Sequence, residues 1–255
     1  MTVTTAFLAE LVKLIRSTIG RLVTVLLVGA VPAMAAGFVA AAESGGSSQI
    51  AIKVRPLVQG VGWDALTSTT GQVMSISMLL GVGFVVSWTF GREFSEGAIE
   101  TLLMSRPSRA ALASAKLAAV LSWAVLTAVA SAAVALGLGT LLGLTPGQPW
   151  LGLSRAVVGA VLMALLGLPF AVVATLGRSA LAGVGAVIGV IVVTQILTVI
   201  GAGPWFPYAA PSLWLGMGGS EVTVSPGQLL LVLPLVAAGW VTTALYWQWA
   251  ELTSS

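Results

Sequence analysis

The feature that most constrains this chain is a succession of uncharged apolar runs, each about the length needed to cross a bilayer. A helix rises about 1.5 Å per residue, so roughly 20 residues span a hydrocarbon core of ~30 Å. Six stretches reach that length: Leu22 to Ala42, Gly71 to Phe90, Leu117 to Leu142, Leu153 to Leu176, Ala180 to Ile200 and Pro226 to Trp249. Only 7% of the 255 residues are charged, whereas a soluble domain needs about 25% to cover its surface. The expected fold is therefore an all-α membrane protein, one six-span domain over residues 1–255 without a separable soluble part.

The connections add detail to that outline. Residues 1–21 read as an amphipathic helix at the membrane interface, with Thr4 or Thr5 as a cap. Its apolar positions are Phe7, Leu8, Leu11, Leu14 and Ile15, and Glu10, Lys13, Arg16 and Arg21 form its polar side. A cleavable signal would have an apolar region of only about 7–15 residues, so the first run is read as a retained span, with Pro32 as a site of kinking. Glu43 to Thr70 is a polar connection, flexible at Gly45-Gly46-Ser47-Ser48 and able to form a short interfacial helix over Val54 to Leu66 anchored by Trp63. Residues 201–225 are broken by Pro and Gly yet carry Trp205, Phe206, Tyr208 and Trp214, which suits a re-entrant or interfacial hairpin.

Six spans return both termini to one side. Lys13, Arg16, Arg21, Arg92, Arg106, Arg109, Lys116 and Arg178 fall on that side, and Lys53, Arg55 and Arg155 on the other. Basic residues concentrate in cytoplasmic loops, so the expectation is a multi-pass protein of the cell membrane with both termini in the cytoplasm.

The residue inventory excludes several chemistries. Cys and His are both absent, which removes disulfide frameworks, the usual zinc sites and Ser-His or Cys-His catalysis. No GxxxxGK[ST] phosphate loop occurs, so the chain does not hydrolyse ATP by that machinery. No Asp, Glu, Lys or Arg falls near the middle of a span, where such a residue usually marks an ion or proton path. Milder polar groups occur within spans; Ser75, Thr194, Gln195 and Thr198 are candidates for a translocation path, with interhelical hydrogen bonding as the plainer role. Gly183, Gly185 and Gly189 give the fifth span a small-residue face suited to close helix packing, within the subunit or with a second copy.

Charge gathers instead in one island, Gly91 to Lys116, which holds Arg92, Glu93, Glu96, Glu100, Arg106, Arg109 and Lys116, seven of the chain's 11 basic plus 8 acidic residues. Ser95 can cap a short helix reaching about Arg106, with Glu93 and Glu96 at its positive end. Glu96 and Glu100 share a face, and Ile99, Leu102, Leu103 and Arg106 lie beside them. Pro107 ends that helix, and Ser108 can cap the next, which carries Arg109 and Lys116 into the third span. The result is a compact elbow with acidic, apolar and basic patches, or, on the plainer reading, a solvated loop whose charges set topology.

The island resembles the signature of ABC-2 type ABC transporter permease subunits. The matching residues are Glu93, Glu96, Gly97, Leu102, Leu103, Pro107, Ser108, Arg109 and Lys116; Ala98 stands where Thr is common, and Pro107 abuts Ser108 where one more residue is usual. The N-terminal amphipathic helix, six spans and Pro-rich aromatic segment extend the likeness to small permeases of drug or antimicrobial-peptide export and immunity systems. The resemblance implies a permease pair, homodimeric or heterodimeric, bound to two ABC ATPase subunits that hold ATP and Mg. It makes the island a coupling helix, with Glu96, Glu100 and Arg106 contacting the ATPase and Leu102 and Leu103 seating the elbow. Pro107, Arg109 and Lys116 would hold its shape and tie it to the membrane. The competing classes are a secondary transporter or channel without an ATPase partner, and a polytopic membrane enzyme, which the missing His and intramembrane carboxylates disfavour.

Overall fold

The computed structural model describes residues 3–44, 49–95, 108–219 and 222–249. Among these, six helices are long and apolar enough to cross a membrane: span 1, Thr18–Glu43; span 2, Gly62–Phe94; span 3, Arg109–Leu141; span 4, Pro149–Leu176; span 5, Ala180–Val199; and span 6, Pro226–Trp249. Spans 2, 3 and 4 are 50–56% buried, against 39% for span 1, 22% for span 6 and 11% for span 5. The core therefore lies among spans 2 to 4, and the other three form its outer side.

The N-terminal helix α1 covers Val3–Arg16, beginning ahead of the two threonines read as caps and stopping five residues before Arg21. Ser17 divides it from span 1: its hydroxyl donates to the Leu14 carbonyl at 2.8 Å and accepts from the Gly20 amide at 2.8 Å. Gly20 is required at this bend, because a Cβ there would lie 2.1 Å from the Leu14 carbonyl oxygen. Pro32 acts through its missing N–H. The helix widens to a π turn over Leu26–Ala30 just before it, then resumes over Val31–Glu43.

The second helix is the largest departure from the sequence reading. It runs unbroken over Gly62–Ser95, 34 residues, so Trp63 opens a span instead of anchoring a separate interfacial helix over 54–66. Trp63 is buried with Ala35, Ala36, Val39, Ala65 and Leu66, which ties the end of span 1 to the start of span 2. Only Gln49–Val54 and the turn Arg55–Leu57 remain as short helical pieces ahead of it.

Small residues let span 2 meet its neighbours closely. A Cβ on Gly167 of span 4 would lie 2.8 Å from Val82, one on Gly183 of span 5 would lie 2.2 Å from the Ser87 hydroxyl, and one on Gly91 would strike the Ala180 backbone at 2.2 Å. Gly185 and Gly189 have nothing within 4 Å, so of the glycine face on span 5 only Gly183 packs inside the chain. Span 4 breaks after Gly167, where Pro169 starts the shorter helix Phe170–Leu176.

Span 6 ends in the core as much as at the interface. Trp247 is fully buried, its indole N–H donating to the Thr175 hydroxyl at 3.3 Å and its ring meeting Phe90 edge-on at 5.5 Å. The segment between spans 5 and 6 packs into the bundle: Tyr208 lies 5.8 Å from Phe170, in the far third of span 4, and Ala210, Pro211, Ser212 and Leu213 of the short helix Ala210–Trp214 are buried.

Candidate functional site

At the end of the bundle where span 2 finishes and span 3 starts, three ionic side chains meet in the interior. Lys116, on the third turn of span 3, donates to Glu93 Oε1 at 2.5 Å and to Glu10 Oε2 at 2.8 Å. Glu10 also accepts from Lys13 Nζ at 2.7 Å. Lys116 is 1% exposed, Glu93 5% and Glu10 6%, which makes this a buried cluster and not a surface one.

Local sequence explains how the three converge. Ser108 caps the helix that carries Lys116, its hydroxyl accepting from the Ala111 amide, as the capping reading requires. Lys116 is flanked by buried Ala113, Ala115 and Leu117, so its chain runs through apolar packing before the ammonium finds partners. Helix α1 buries Ala6, Glu10 and Leu14, one stripe at four-residue spacing, against span 3. Glu93 sits in the last turns of the span 2 helix, with the Arg92 guanidinium over the Trp88 ring at 4.4 Å beside it.

The buried Lys116 sits between the two buried carboxylates, and exposed Lys13 supplies Glu10 with a second cation from the surface, which offsets the cost of burying the charges. Burial acts to raise the pKa of Glu10, but Lys116 and then Lys13 outweigh it, leaving the carboxyl below its ordinary value of 4.5. Glu93 Oε2 has no hydrogen-bond partner among the described residues. The cluster holds no nucleophile, and no group of three or more His, Cys, Asp or Glu able to hold a metal occurs among the described residues. Its effect is mechanical. It binds the end of span 2, the start of span 3 and helix α1 into one unit.

Of the residues singled out in the island, the structure brings together Glu93 and Lys116 and places Arg109 half-buried at the first turn of span 3. Glu96, Gly97, Glu100, Leu102, Leu103, Arg106 and Pro107 lie outside the described residues, as does the short helix expected there. Glu10, expected with Lys13 on the polar side of an interfacial helix, instead faces inward. A lone acid on an otherwise basic helix was the one hint, and its partner lies 106 positions away.

The candidate path residues do not converge. Ser75 is fully buried and donates to the Gln72 carbonyl of its own helix. Thr194 and Thr198 likewise donate to carbonyls four residues back, and Gln195 is exposed on span 5. A separate groove of about 550 Å³ opens between spans 1, 2 and 5, with Leu26, Ala30, Met34, Phe84, Val187 and Ile188 among its almost wholly apolar walls.

The family model of the ABC-2 family transporter proteins matches residues 6–201, from helix α1 through the end of span 5. The chain belongs to the ABC-2 transporter family. Comparison with curated proteins gave no match. As an ABC-2 permease it is a multi-pass membrane component of a transporter, in a family that works with ABC ATPase subunits and is generally not itself catalytic. The ion cluster belongs to the matched region, with Glu10 near its first residue and Glu93 and Lys116 in its interior.

Proposed function

We propose that this ABC-2 permease is the membrane subunit of an ATP-driven exporter of a hydrophobic or amphipathic substrate (drug, peptide or lipid), driven through residues 93–116 by separate ATPase subunits that bind ATP and Mg. The observation that carries this reading is the clamp on both stalks of the island. Glu93 lies just before the 96–107 segment and Lys116 just after it, and their buried pair turns the two stalks into one lever. A displacement applied at residues 96–107 reaches spans 2 and 3 together, and through Glu10 it reaches helix α1. Rigid-body coupling of this kind needs a packed, bistable unit and not a loose loop.

In this reading Glu96, Glu100 and Arg106 contact the ATPase, Leu102 and Leu103 seat the elbow, and Gly97, Pro107 and Arg109 shape it. The eight-to-three bias of basic residues supports a cell-membrane protein with the lever and both termini in the cytoplasm. A second permease copy, identical or related, faces span 5. Support for this comes from the span's 11% burial and from the open positions of Gly185 and Gly189. The apolar groove and the exposed side of span 5, with Thr194, Gln195 and Thr198, would then border the route between the copies, while Ser75 lies behind it.

Exchange of Leu102 and Leu103 together for Asp tests the coupling. The ATPase should be lost on co-purification while the spans stay folded. Retained ATPase with undiminished export would remove the lever's assigned role, and transport by the permease alone would favour a secondary transporter.

A further inference from the structure

The far end of the bundle holds a second polar site. A cavity of about 600 Å³ opens where spans 2 and 4 begin, walled by Gln59, Asp64, Thr67 and Ser68 on one side and by Arg155 and Trp214 on another. This is the end opposite Glu93 and Lys116, since Asp64 lies on the first turn of the helix that carries Glu93 in its last turns.

The cavity is braced across three chain segments. Gln59 donates to the Gly216 carbonyl at 2.7 Å, the Trp63 amide donates to the Pro146 carbonyl at 3.1 Å, and Arg155 donates to the Trp214 carbonyl at 2.8 Å while lying over its ring at 4.8 Å. Arg155 spends one of its five N–H donors in that bond. No ion pair joins it to Asp64 among the described residues, and Asp64 is exposed. The site thus presents an anion-binding guanidinium and a cation-binding carboxylate that do not neutralise each other.

Register gives the two charges a depth order. Gly152 of span 4 lies against Thr67 of span 2, where a Cβ would meet the Thr67 hydroxyl at 2.1 Å. The spans run parallel, so Arg155 lies about six residues, roughly 9 Å, deeper than Asp64. A helix of 34 residues is about 51 Å long and overhangs a ~30 Å core by about 10 Å at each end. Asp64 falls in the headgroup layer, and Arg155 lies at its boundary with the hydrocarbon, where a long side chain reaches toward the headgroups. Trp150 and Leu151 are 67% and 75% exposed, an apolar rim at about the depth of Asp64.

We propose that this cavity binds a phosphate–ammonium zwitterion, the headgroup of a phospholipid of the phosphatidylethanolamine type, with its phosphate on Arg155 and its ammonium at Asp64. The order matches the ligand: in such a headgroup the phosphate lies nearer the acyl chains and the ammonium nearer water. The guanidinium fork suits a phosphate, and exposed Val158, one turn deeper on span 4 than Arg155, gives the chains an apolar exit. The site stands apart from the coupling lever and does not depend on what the permease exports.

The test is equilibrium binding to the purified full-length permease in detergent, with dihexanoyl phosphatidylethanolamine, dihexanoyl phosphatidylglycerol and water-soluble glycerophosphoethanolamine as probes. The ethanolamine lipid should bind about tenfold more tightly than the glycerol lipid, which keeps the phosphate and lacks the ammonium. Asp64→Asn should abolish that preference with little change in the thermal midpoint, because among the described residues no hydrogen bond or ion pair holds the Asp64 carboxylate. Arg155→Lys should weaken both lipids together. Equal binding of the two lipids by the unaltered permease, or an intact preference in Asp64→Asn, overturns the proposal. Glycerophosphoethanolamine binding as tightly as the lipid would overturn the lipid assignment, because the zwitterion would then be taken from water.

Discussion

Lys116 donates to Glu93 across the 23 positions that separate the third turn of span 3 from the last turns of span 2. The same ammonium reaches Glu10 on helix α1, so one buried cation closes three elements around the charged island. This relationship converts a row of charges in sequence into a fixed joint at one end of the bundle.

Removal of the cation should cost more than removal of either anion. Lys116→Met leaves two buried carboxylates facing each other, and breaking a buried pair in this way costs about 3–5 kcal/mol. Glu93→Gln leaves Lys116 still paired with Glu10, so the loss should be distinctly smaller. Denaturant unfolding of the two variants in detergent measures the order, and a Lys116→Met variant no weaker than Glu93→Gln would contradict the clamp.

Acid should weaken the hold of Glu10 on span 3. The Glu10 carboxyl lies below its ordinary value of 4.5 when folded, held there against burial by Lys116 and Lys13. A depressed folded pKa contributes stability that is complete above the unfolded value and lost as pH falls through the folded one. The stability gap between the native protein and Glu10→Gln should therefore be constant from neutral pH down to about 5, then narrow below 4.5. Thermal midpoints recorded over that range check it; a gap that widens on acidification would carry the wrong sign.

Two glycines should respond oppositely to alanine. A Cβ at Gly91 meets the Ala180 backbone at 2.2 Å, so Gly91→Ala forces spans 2 and 5 apart at roughly 1–3 kcal/mol. Gly189 has open space within the protomer, and Gly189→Ala should be neutral or stabilise the span by up to about 1 kcal/mol. Thermal unfolding of the monodisperse protein distinguishes them. A Gly189→Ala variant that folds normally yet runs as a smaller species would also locate the second copy on span 5.

The groove offers a separate handle on transport. Ala30→Trp places an indole in the space between spans 1, 2 and 5, where Ala30 is exposed. Export should fall at least tenfold, while the thermal midpoint and ATPase co-purification stay unchanged. Export at the unaltered level would remove this groove from the substrate route.

The trace of the chain through the membrane was legible in composition alone. Six apolar runs, the Ser108 cap and the change of helix type just before Pro32 follow from local rules: hydrocarbon needs about 20 apolar residues, and proline withholds one N–H. Local rules misread Trp63 as the anchor of an interfacial helix, because a tryptophan near a span end looks the same whether it meets headgroups or other helices. They also extended α1 to Arg21, past a bend that only the Ser17 hydroxyl and the bare Gly20 backbone reveal.

Hydropathy alone settled that this chain lives in a bilayer and how often it crosses, since each crossing depends on one contiguous stretch and its contact with lipid. Packing decided that Glu10, Glu93 and Lys116 share one interior site and that Asp64 and Arg155 flank another. Those groupings join residues as many as 106 positions apart, and which faces of separate helices meet is set by where glycine and alanine let backbones approach, a property of pairs that no single segment carries.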